Sequence, residues 1–378
     1  MRFKFIHTAD WQIGAPFGAF ETKLAARLTD ARLEMINTIG NLAMARHVRH
    51  VLVAGDVWDS EQPSKRVLHQ PLDLMKRYDA VTWWLMPGNH DPFRPNLLWS
   101  EIETYASTNI KLLLKAEPVE AEPSVWLLPA PWTTKSPGRD LTTWMDNADL
   151  PPNRLTIGIG HGSITEFSSD DEHGDVGSKS IIDPRRANEA QLDYLALGDW
   201  HGVQKISDRV WYSGTPETDR FRRNSPGHVL IVELETDTLP KVQVEKTTTF
   251  HWHIVDIDCV PEMKDFPAID ELEGRGSLRN ILAQINLTGH MKQQNWLKLD
   301  ARLRLLEERL DFMNIQTDHL THLVSSEDLD NLDRAGSVRM AAERLLERKE
   351  NPSVSEENRK TADNALCLLL SYANEEFD

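Results

Sequence analysis

Residues 51–59, with the sequence VLVAGDVWD, decide the fold of this chain. The apolar run Val51 to Ala54 predicts a short buried strand, and Gly55 and Asp56 turn the chain at its end. A continuous apolar run of this kind is typical of a strand that is covered on both faces, so it predicts a layered α/β domain. Asp56 then lies at the carboxyl end of the strand, where open α/β sheets collect their ligand sites.

Further segments repeat this arrangement of an apolar run followed by polar side chains. They are residues 10–12 (DWQ), 88–91 (GNHD), 160–162 (GHG) and 198–201 (GDWH). The preceding strands are predicted at 3–8, 81–86, 157–160 and 194–197, and apolar residues at helical spacing predict helices at 23–45 and 67–78. Strands that alternate with helices favour β-sheets flanked by helices.

The side chains at these strand ends are oxygen and nitrogen donors without sulfur. They are Asp10, Asp56, Asn89, His161 and His201. Such a set favours Mn²⁺, Fe²⁺ or Zn²⁺. A carboxylate such as Asp56 can bridge two cations, and two ions about 4 Å apart would polarise a phosphate and activate water. His90 follows Asn89 directly and is placed to contact phosphate oxygens or to supply a proton to the departing oxygen.

Each segment also has an ordinary structural explanation. Gly-Asp is a common turn, and an isolated histidine is usually structural. The joint occurrence after apolar runs is what favours a site for two metal ions. A tryptophan accompanies three of the segments, at Trp11, Trp58 and Trp200. These rings either support the ligands from beneath or offer a stacking surface for an unpaired base.

The motifs resemble those of the calcineurin-like metallophosphoesterase superfamily. The resemblance is closest to its SbcD-type DNA repair nuclease subunits, and it covers about residues 1–250 well. It rests on the strand-end segments 7–10 (HTAD), 86–91 (MPGNHD), 194–201 (YLALGDWH) and 211–217 (WYSGTPE). The fold implied by the resemblance is a layered α/β metallophosphoesterase domain with a smaller α+β cap domain and C-terminal helices.

The resemblance implies specific ligand sets. One ion would be held by Asp10, Asp56 and His201, and the other by Asp56, Asn89, His161 and Asp199, with His90 as the catalytic histidine. Gln12 and Asp199 stand where the family pattern usually has histidine ligands. Both would make the ligand shell harder, which favours Mn²⁺ or Mg²⁺ over Zn²⁺. Supporting or substrate contacts are expected from His7, Asp59 and Asp91.

The chain is acidic overall, so a generally basic surface is not expected. The chain has 378 residues and a formal net charge of −17, which argues mildly against a nonspecific nucleic-acid binder. Basic stretches nevertheless lie near the later strand-end segments, and these arginines are either solvated surface or substrate contacts. They are Arg185, Arg186, Arg220, Arg222 and Arg223.

Other features concern the cell compartment. No apolar run is long enough for a membrane span, and the first residues lack the apolar stretch of a signal peptide. The only cysteines, Cys259 and Cys367, are far apart, so a disulfide framework is not expected. These features predict a cytoplasmic protein that does not enter a membrane.

The composition changes near residue 250 and predicts three regions. They are a catalytic domain at 1–250, an α+β domain at 251–330, and C-terminal helices at 331–378. Elements are predicted at 253–260 (strand), 267–272 (helix), 281–287 (strand), 299–312 (helix), 319–324 (strand), 332–350 (helix) and 356–373 (helix). The last helix has a surplus of apolar residues between Leu366 and Tyr372, which either pack on the chain itself or dock on a partner.

The leading functional hypothesis is a metal-dependent DNA nuclease, exonuclease and/or endonuclease, in DNA repair or DNA processing. The resemblance implies a homodimer that works with an SbcC-like coiled-coil ATPase, and a smaller domain that caps the site. One alternative is a phosphomonoesterase or small-substrate phosphodiesterase on the same fold. Another is a scaffold with a degenerate metal site, suggested by Gln12 and Asp199.

Overall fold

The fold is described from a computed structural model of the chain. It covers residues 1–134, 137–164, 180–221, 223–275, 278–324 and 336–375, with side chains to residue 370. Two compact units are found, Met1–His251 and Trp252–Asp378. Within the described residues, no helix combines the length and the hydropathy that crossing a bilayer requires.

The first unit contains two six-stranded sheets. The strands of the first sheet are β1 (Arg2–Thr8), β2 (His50–Val53), β3 (Thr82–Leu85), β4 (Ile110–Leu112), β13 (His228–Glu235) and β14 (Lys241–Lys246). Their order is β14-β13-β1-β2-β3-β4, in which β1 to β4 are parallel neighbours and β13 and β14 run antiparallel beside β1.

The strands of the second sheet are β5 (Val119–Glu122), β6 (Val125–Pro129), β7 (Leu155–His161), β10 (Tyr194–Gly198), β11 (Gln204–Lys205) and β12 (Val210–Tyr212). Their order is β11-β12-β10-β7-β6-β5. Strands β6, β7, β10 and β12 are parallel, and antiparallel strands close both edges. A short parallel pair, β8 (Ser163–Ile164) and β9 (Ile181–Ile182), follows β7.

The two sheets pack face to face with helices on the outside. Phe5 and Leu52 of the first sheet share one apolar cluster with Ile157 and Tyr194 of the second. The outer face of the first sheet is covered by α1 (Thr22–Ala45), α2 (Lys65–Lys76) and α3 (Leu98–Tyr105). The outer face of the second is covered by α4 (Arg186–Glu189) and a 3₁₀ helix at Thr143–Asn147. The predicted layered α/β class is therefore confirmed.

The second unit has a three-stranded sheet and four helices. The strands are β15 (His251–Cys259), β16 (Ile281–Lys292) and β17 (Phe312–Leu323), and the helices are α5 (Pro267–Glu273), α6 (Gln293–Glu307), α7 (Ser337–Glu350) and α8 (Glu356–Glu375), within the residues that the structure describes. The strand order is β15-β16-β17, and β16 and β17 are parallel. Helices α5 and α6 bury Ile269 and Leu303 in one cluster with the sheet.

Two predicted elements of this unit were misplaced. The helix predicted at 299–312 is α6, which begins at Gln293 and ends at Glu307, and the strand predicted at 319–324 is β17, which begins at Phe312. Lys292 provides no side-chain cap for α6, so the sequence carries no start signal there. The predicted start of α7 at 332 lies outside the described residues.

Candidate metal centre

The ends of the strands bring the predicted ligands to one place. In the first sheet Thr8 pairs with Val53 and Val53 with Leu85, so β1, β2 and β3 end at the same edge. In the second sheet Gly198 pairs with His161, so β7 and β10 also end together. Because the sheets pack face to face, all five strand-end segments meet at one edge of the sandwich.

Backbone contacts join these segments across the two sheets. The amide of Asp10 donates to Gly55 O at 3.2 Å, and that of Gln12 to Asp56 O at 2.9 Å. From the second sheet, His161 Nδ1 lies 2.8 Å from Ala54 O and donates to it. This contact leaves the lone pair of His161 on Nε2, which is the atom that points into the site.

The centre of the site is a buried group formed by Asp10, Asp56 and His161, whose ligand atoms lie within 4.8 Å of one another. His161 Nε2 is surrounded by oxygens: Asn89 Oδ1 at 2.6 Å, Asp56 Oδ2 at 3.5 Å and Asp199 Oδ1 at 3.9 Å. An imidazole lone pair among acceptor oxygens needs a cation or a proton between them.

The pKa values of Asp10 and His161 also indicate that this group needs a cation or a proton. Burial raises the pKa of Asp10 to about 6, and the nearby Asp56 and Asp199 carboxylates add to the rise. Burial alone would lower the pKa of His161, but Asp56, Asp10 and Asp199 outweigh it and raise that pKa well above its usual value. Clustered carboxylates with imidazole and amide oxygen donors fit a divalent cation, which would replace the proton on His161.

Gln12 and His201 form a second pair of candidate ligands. His201 is buried, and its Nδ1 lies 3.1 Å from Asp219 Oδ2. Its Nε2 lies 3.4 Å from Gln12 Nε2. The two residues are in contact, and the tight group of Asp10, Asp56 and His161 does not include His201.

His90 lies at the rim of the site. Its side chain is 26% exposed, with Nε2 3.9 Å from Asp56 Oδ2 and Nδ1 3.4 Å from Asp59 Oδ1. Its backbone amide donates to Asp56 Oδ1 at 2.9 Å, which fixes the loop against the central carboxylate. His90 is therefore the accessible imidazole beside the group, as a proton donor to a substrate requires.

The sequence of this chain matches a known protein family over the residues that form the site. The sequence model of the calcineurin-like phosphoesterase family matches residues 3–232, which include strands of both sheets and all five strand-end segments. The chain belongs to this family. As a calcineurin-like phosphoesterase, it carries a buried Asp and His cluster at the edge where its strands end, which supports a phosphoester hydrolase that uses divalent metal ions.

Individual relatives of this phosphoesterase are distant. DNA double-strand break repair protein Mre11 of Methanosarcina acetivorans is 22% identical over 244 residues, 62% of this chain and 37% of the relative. The uncharacterized metallophosphoesterase YhaO of Bacillus subtilis is 22% identical over 286 residues, 71% of this chain and 66% of the relative. The SbcD subunit of nuclease SbcCD of Rhodobacter capsulatus is 31% identical over 93 residues, 24% of this chain and 22% of the relative. The chain thus spans less than two thirds of each relative.

Some predicted site residues of the phosphoesterase brace the site from beneath. His7 is fully buried between the sheets, with Nδ1 3.1 Å from Tyr194 Oη and Nε2 3.2 Å from Leu197 O, and burial lowers its pKa to about 3. Asp91 is also fully buried and accepts from the amides of Gly88 and Trp58 at 2.7 and 3.0 Å. Both side chains lie beyond the reach of a substrate.

The predicted substrate arginines differ from one another. Arg186 is buried, and its guanidinium is held by Asp140, Asp146 and Thr142, which leaves it no face for a substrate. Arg185 is exposed, but its guanidinium donates two hydrogen bonds to the carboxylate of Asp183. Arg220 and Arg223 are partly or largely exposed, and Arg222 lies outside the described residues.

Sequence reasoning missed three residues that hold ligand candidates in place. Ser163 donates to Asp199 Oδ2 at 2.8 Å, Asp219 contacts His201, and Arg32 donates to Gln12 O at 3.1 Å. Asp219 directly precedes the basic stretch that begins at Arg220, and this proximity is the one signal that could have found it.

Burial decides, for two of the three tryptophans, whether the ring supports the site or offers a stacking surface for a base. Trp11 and Trp58 are 1% and 0% exposed, so they support the site and offer no stacking face. Trp200 is half-buried and packs against the apolar cluster on the outer face of the second sheet. Hydrophobic support is therefore the role that the structure gives to Trp11 and Trp58.

Proposed function

We propose that this protein is a metal-dependent DNA nuclease of the SbcD type, an exonuclease and/or endonuclease in DNA repair or DNA processing. The observation that carries the proposal is an accessible His90 at the rim of the buried Asp10, Asp56 and His161 group. Support for DNA as the substrate comes from relatives whose names denote a double-strand break repair protein and a nuclease subunit.

Two divalent ions are proposed, with Mn²⁺ preferred and Mg²⁺, Fe²⁺ or Zn²⁺ as alternatives. Asp56, Asn89, His161 and Asp199 would hold one, and Asp10, Asp56, Gln12 and His201 the other. Bound ions would supply charge neutralisation for the phosphate and a more acidic water. His90 would bind a phosphate oxygen and donate its proton to the departing alkoxide, with Asp59 orienting its ring.

A test compares variants in Mn²⁺ on single-stranded DNA and on DNA with free ends. We expect His90→Ala to lower the rate by about 10²–10⁴-fold while Mn²⁺ remains bound, because His90 acts on the substrate. Asp56→Asn should lose both activity and Mn²⁺. His69→Ala is the matched control, since His69 is a half-buried histidine of α2 that contacts Glu101 and Tyr105.

One observation favours a smaller substrate. The net charge is −17, and Arg185 and Arg186 are both held by carboxylates, so less positive surface is available for a phosphate backbone. Hydrolysis of bis-(para-nitrophenyl) phosphate together with no cleavage of any DNA would replace the nuclease proposal with a small-substrate phosphodiesterase. Absence of hydrolysis on both substrates with every metal would favour a scaffold.

We further propose a homodimer and a coiled-coil ATPase partner. Support comes from the resemblance of the motifs, and from exposed apolar side chains on the C-terminal helices, Met340 at 58% and Leu368 at 57%. Light scattering of the purified chain tests the dimer. Co-expression and co-purification with an SbcC-like coiled-coil ATPase, with and without Leu368→Ala, tests the docking.

A further inference from the structure

A buried ion pair between Arg32 and Asp219 anchors Gln12 and His201. Asp219 is 5% exposed at its side chain, and its Oδ2 lies 3.1 Å from His201 Nδ1 and 3.8 Å from a terminal nitrogen of Arg32. Arg32, a buried residue of α1, donates from its other terminal nitrogen to Gln12 O at 3.1 Å. One pair of charges therefore fixes the ring of His201 and the backbone of Gln12.

The pair also decides where the proton of His201 lies. Asp219 Oδ2 lies 3.1 Å from His201 Nδ1, and a carboxylate oxygen can only accept a hydrogen bond there. Nδ1 therefore donates to this carboxylate, and because the amide nitrogen of Gln12 can only donate, Nε2 is the accepting atom of the ring. The side-chain amide nitrogen of Gln12 lies 3.4 Å from His201 Nε2 and donates to it.

The Nε2 atoms of His161 and His201 therefore have different neighbours. His161 Nε2 faces oxygens, the nearest being Asn89 Oδ1 at 2.6 Å, so a cation that replaces its proton breaks no hydrogen bond from an amide N–H. The lone pair of His201 is satisfied by the N–H of Gln12. A cation can use His201 only after the amide of Gln12 turns its oxygen inward, which also breaks this hydrogen bond.

We infer that the two metal positions are unequal, and that Gln12 is the specificity-determining residue while Asp219 and Arg32 are positioning residues. The position at His161 binds its ion tightly. The position at His201 fills weakly, because the Gln12 amide competes for the imidazole. This inference rests on the proposed metal-dependent function. It gives a role to Gln12, which stands where the family pattern usually has a histidine ligand.

The experiment is a Mn²⁺ titration of the full chain, followed by electron paramagnetic resonance of free Mn²⁺ and by equilibrium dialysis. Wild type should show one tight class and a second class at least tenfold weaker. Gln12→His should tighten only the weak class, by tenfold or more, because imidazole replaces a competing amide. Asp219→Asn should weaken only that class, by about 10–100-fold, as loss of a partner that orients a ligating histidine does.

The matched control is Asp193→Asn. Asp193 is a half-buried aspartate of the same unit that faces Arg209 and accepts from the Thr156 amide, away from the site. It should leave both classes unchanged, and an intact tight class in Asp219→Asn shows that this variant is folded. Two equal classes in wild type, or a weak class that Gln12→His does not tighten, would overturn the inference. Absence of any bound Mn²⁺ in wild type would instead overturn the metal-dependent function itself.

Discussion

At the scale of the residue, the site is built on unfavourable backbone conformations. Positive φ angles occur at Asp10, Gln12, Asp56 and Asp199, at 53°, 43°, 54° and 97°. Each such residue costs on the order of 1–3 kcal/mol and persists only where the surroundings hold it. Here the surroundings are the backbone hydrogen bonds between neighbouring strand ends, which include the Asp199 amide on the Asp10 carboxylate at 3.0 Å.

Gly88 gives the first prediction at this scale. A Cβ at Gly88 would lie 2.1 Å from Asp56 Oδ1 and 2.4 Å from Asp56 N, so alanine must displace the central carboxylate. We expect Gly88→Ala to abolish tight Mn²⁺ binding and to lower the free energy of unfolding by about 1–3 kcal/mol, measured by dialysis and urea titration. Gly18→Ala is the control, since nothing lies within 4 Å of its added Cβ. Retained tight binding in Gly88→Ala would contradict the placement of Asp56.

Residue identities could be predicted where a local pattern carried them. Asp56 and His161 follow apolar runs, so a strand end could be assigned to each from the sequence. Arg32 and Asp219 could not be found in this way, because each is an ordinary charged residue whose partner lies far away in the chain. Arg186 looked like an accessible cation beside another arginine, but three side chains of a distant segment enclose it.

At the scale of the element, strands that are buried on both faces were predicted to within a few residues. Strands β2 and β10 have continuous apolar runs, which are typical of a strand covered on both faces. Strand β17 is different: most of its residues are polar and lie exposed or only partly buried, and its pairing with β16 supplies the order. Its start at Phe312 therefore depends on a long-range partner, which a local pattern does not reveal.

The C-terminal helices give the second prediction. Leu366 of α8 is fully buried in a cluster with Ala342 of α7, whereas Leu368 is 57% exposed. We expect Leu366→Ala to lower the free energy of unfolding of the second unit by about 2–4 kcal/mol, and Leu368→Ala to change it by less than about 0.5 kcal/mol. Circular dichroism during urea unfolding measures both. Equal losses would contradict the packing of α8 on α7.

These helices also answer part of the question left open by the sequence. The apolar surplus of the last helix divides between the two alternatives. Leu366 and Leu370 pack internally, and Leu368 is exposed. The side chain of Tyr372 lies outside the described residues. Internal packing is thus shown for the buried face, and partner docking through the exposed one remains a proposal.

At the scale of the whole molecule, the site depends on two sheets meeting. Asp10, Asp56 and Asn89 follow strands of the first sheet, while His161, Asp199 and His201 lie at or after the ends of strands of the second. A cation at their junction would neutralise carboxylates that otherwise repel each other across the sandwich. Metal binding should therefore stabilise the first unit as a whole.

Metal removal gives the third prediction. At Mn²⁺ concentrations about 100 times the Kd, binding contributes about 2.7 kcal/mol, so we expect EDTA to lower the thermal midpoint of the first unit by roughly 5–10 °C. Differential scanning fluorimetry with Mn²⁺ and with EDTA measures the shift. Asp56→Asn, which loses a carboxylate of the buried Asp10, Asp56 and His161 group, should show a much smaller difference between the two conditions. A shift as large as that of wild type would mean that the stabilising ion binds elsewhere.

The sequence by itself determined the α/β class, the strand ends and the polar residues that follow them. It could do so because apolar runs, glycine turns and donor side chains are local properties. Only the tertiary structure decided which of these side chains meet, that Trp11 and Trp58 are buried, and that Arg32 and Asp219 anchor Gln12 and His201. The reason is that these contacts join segments far apart in the chain, and their distances are set by how two sheets and a helix pack.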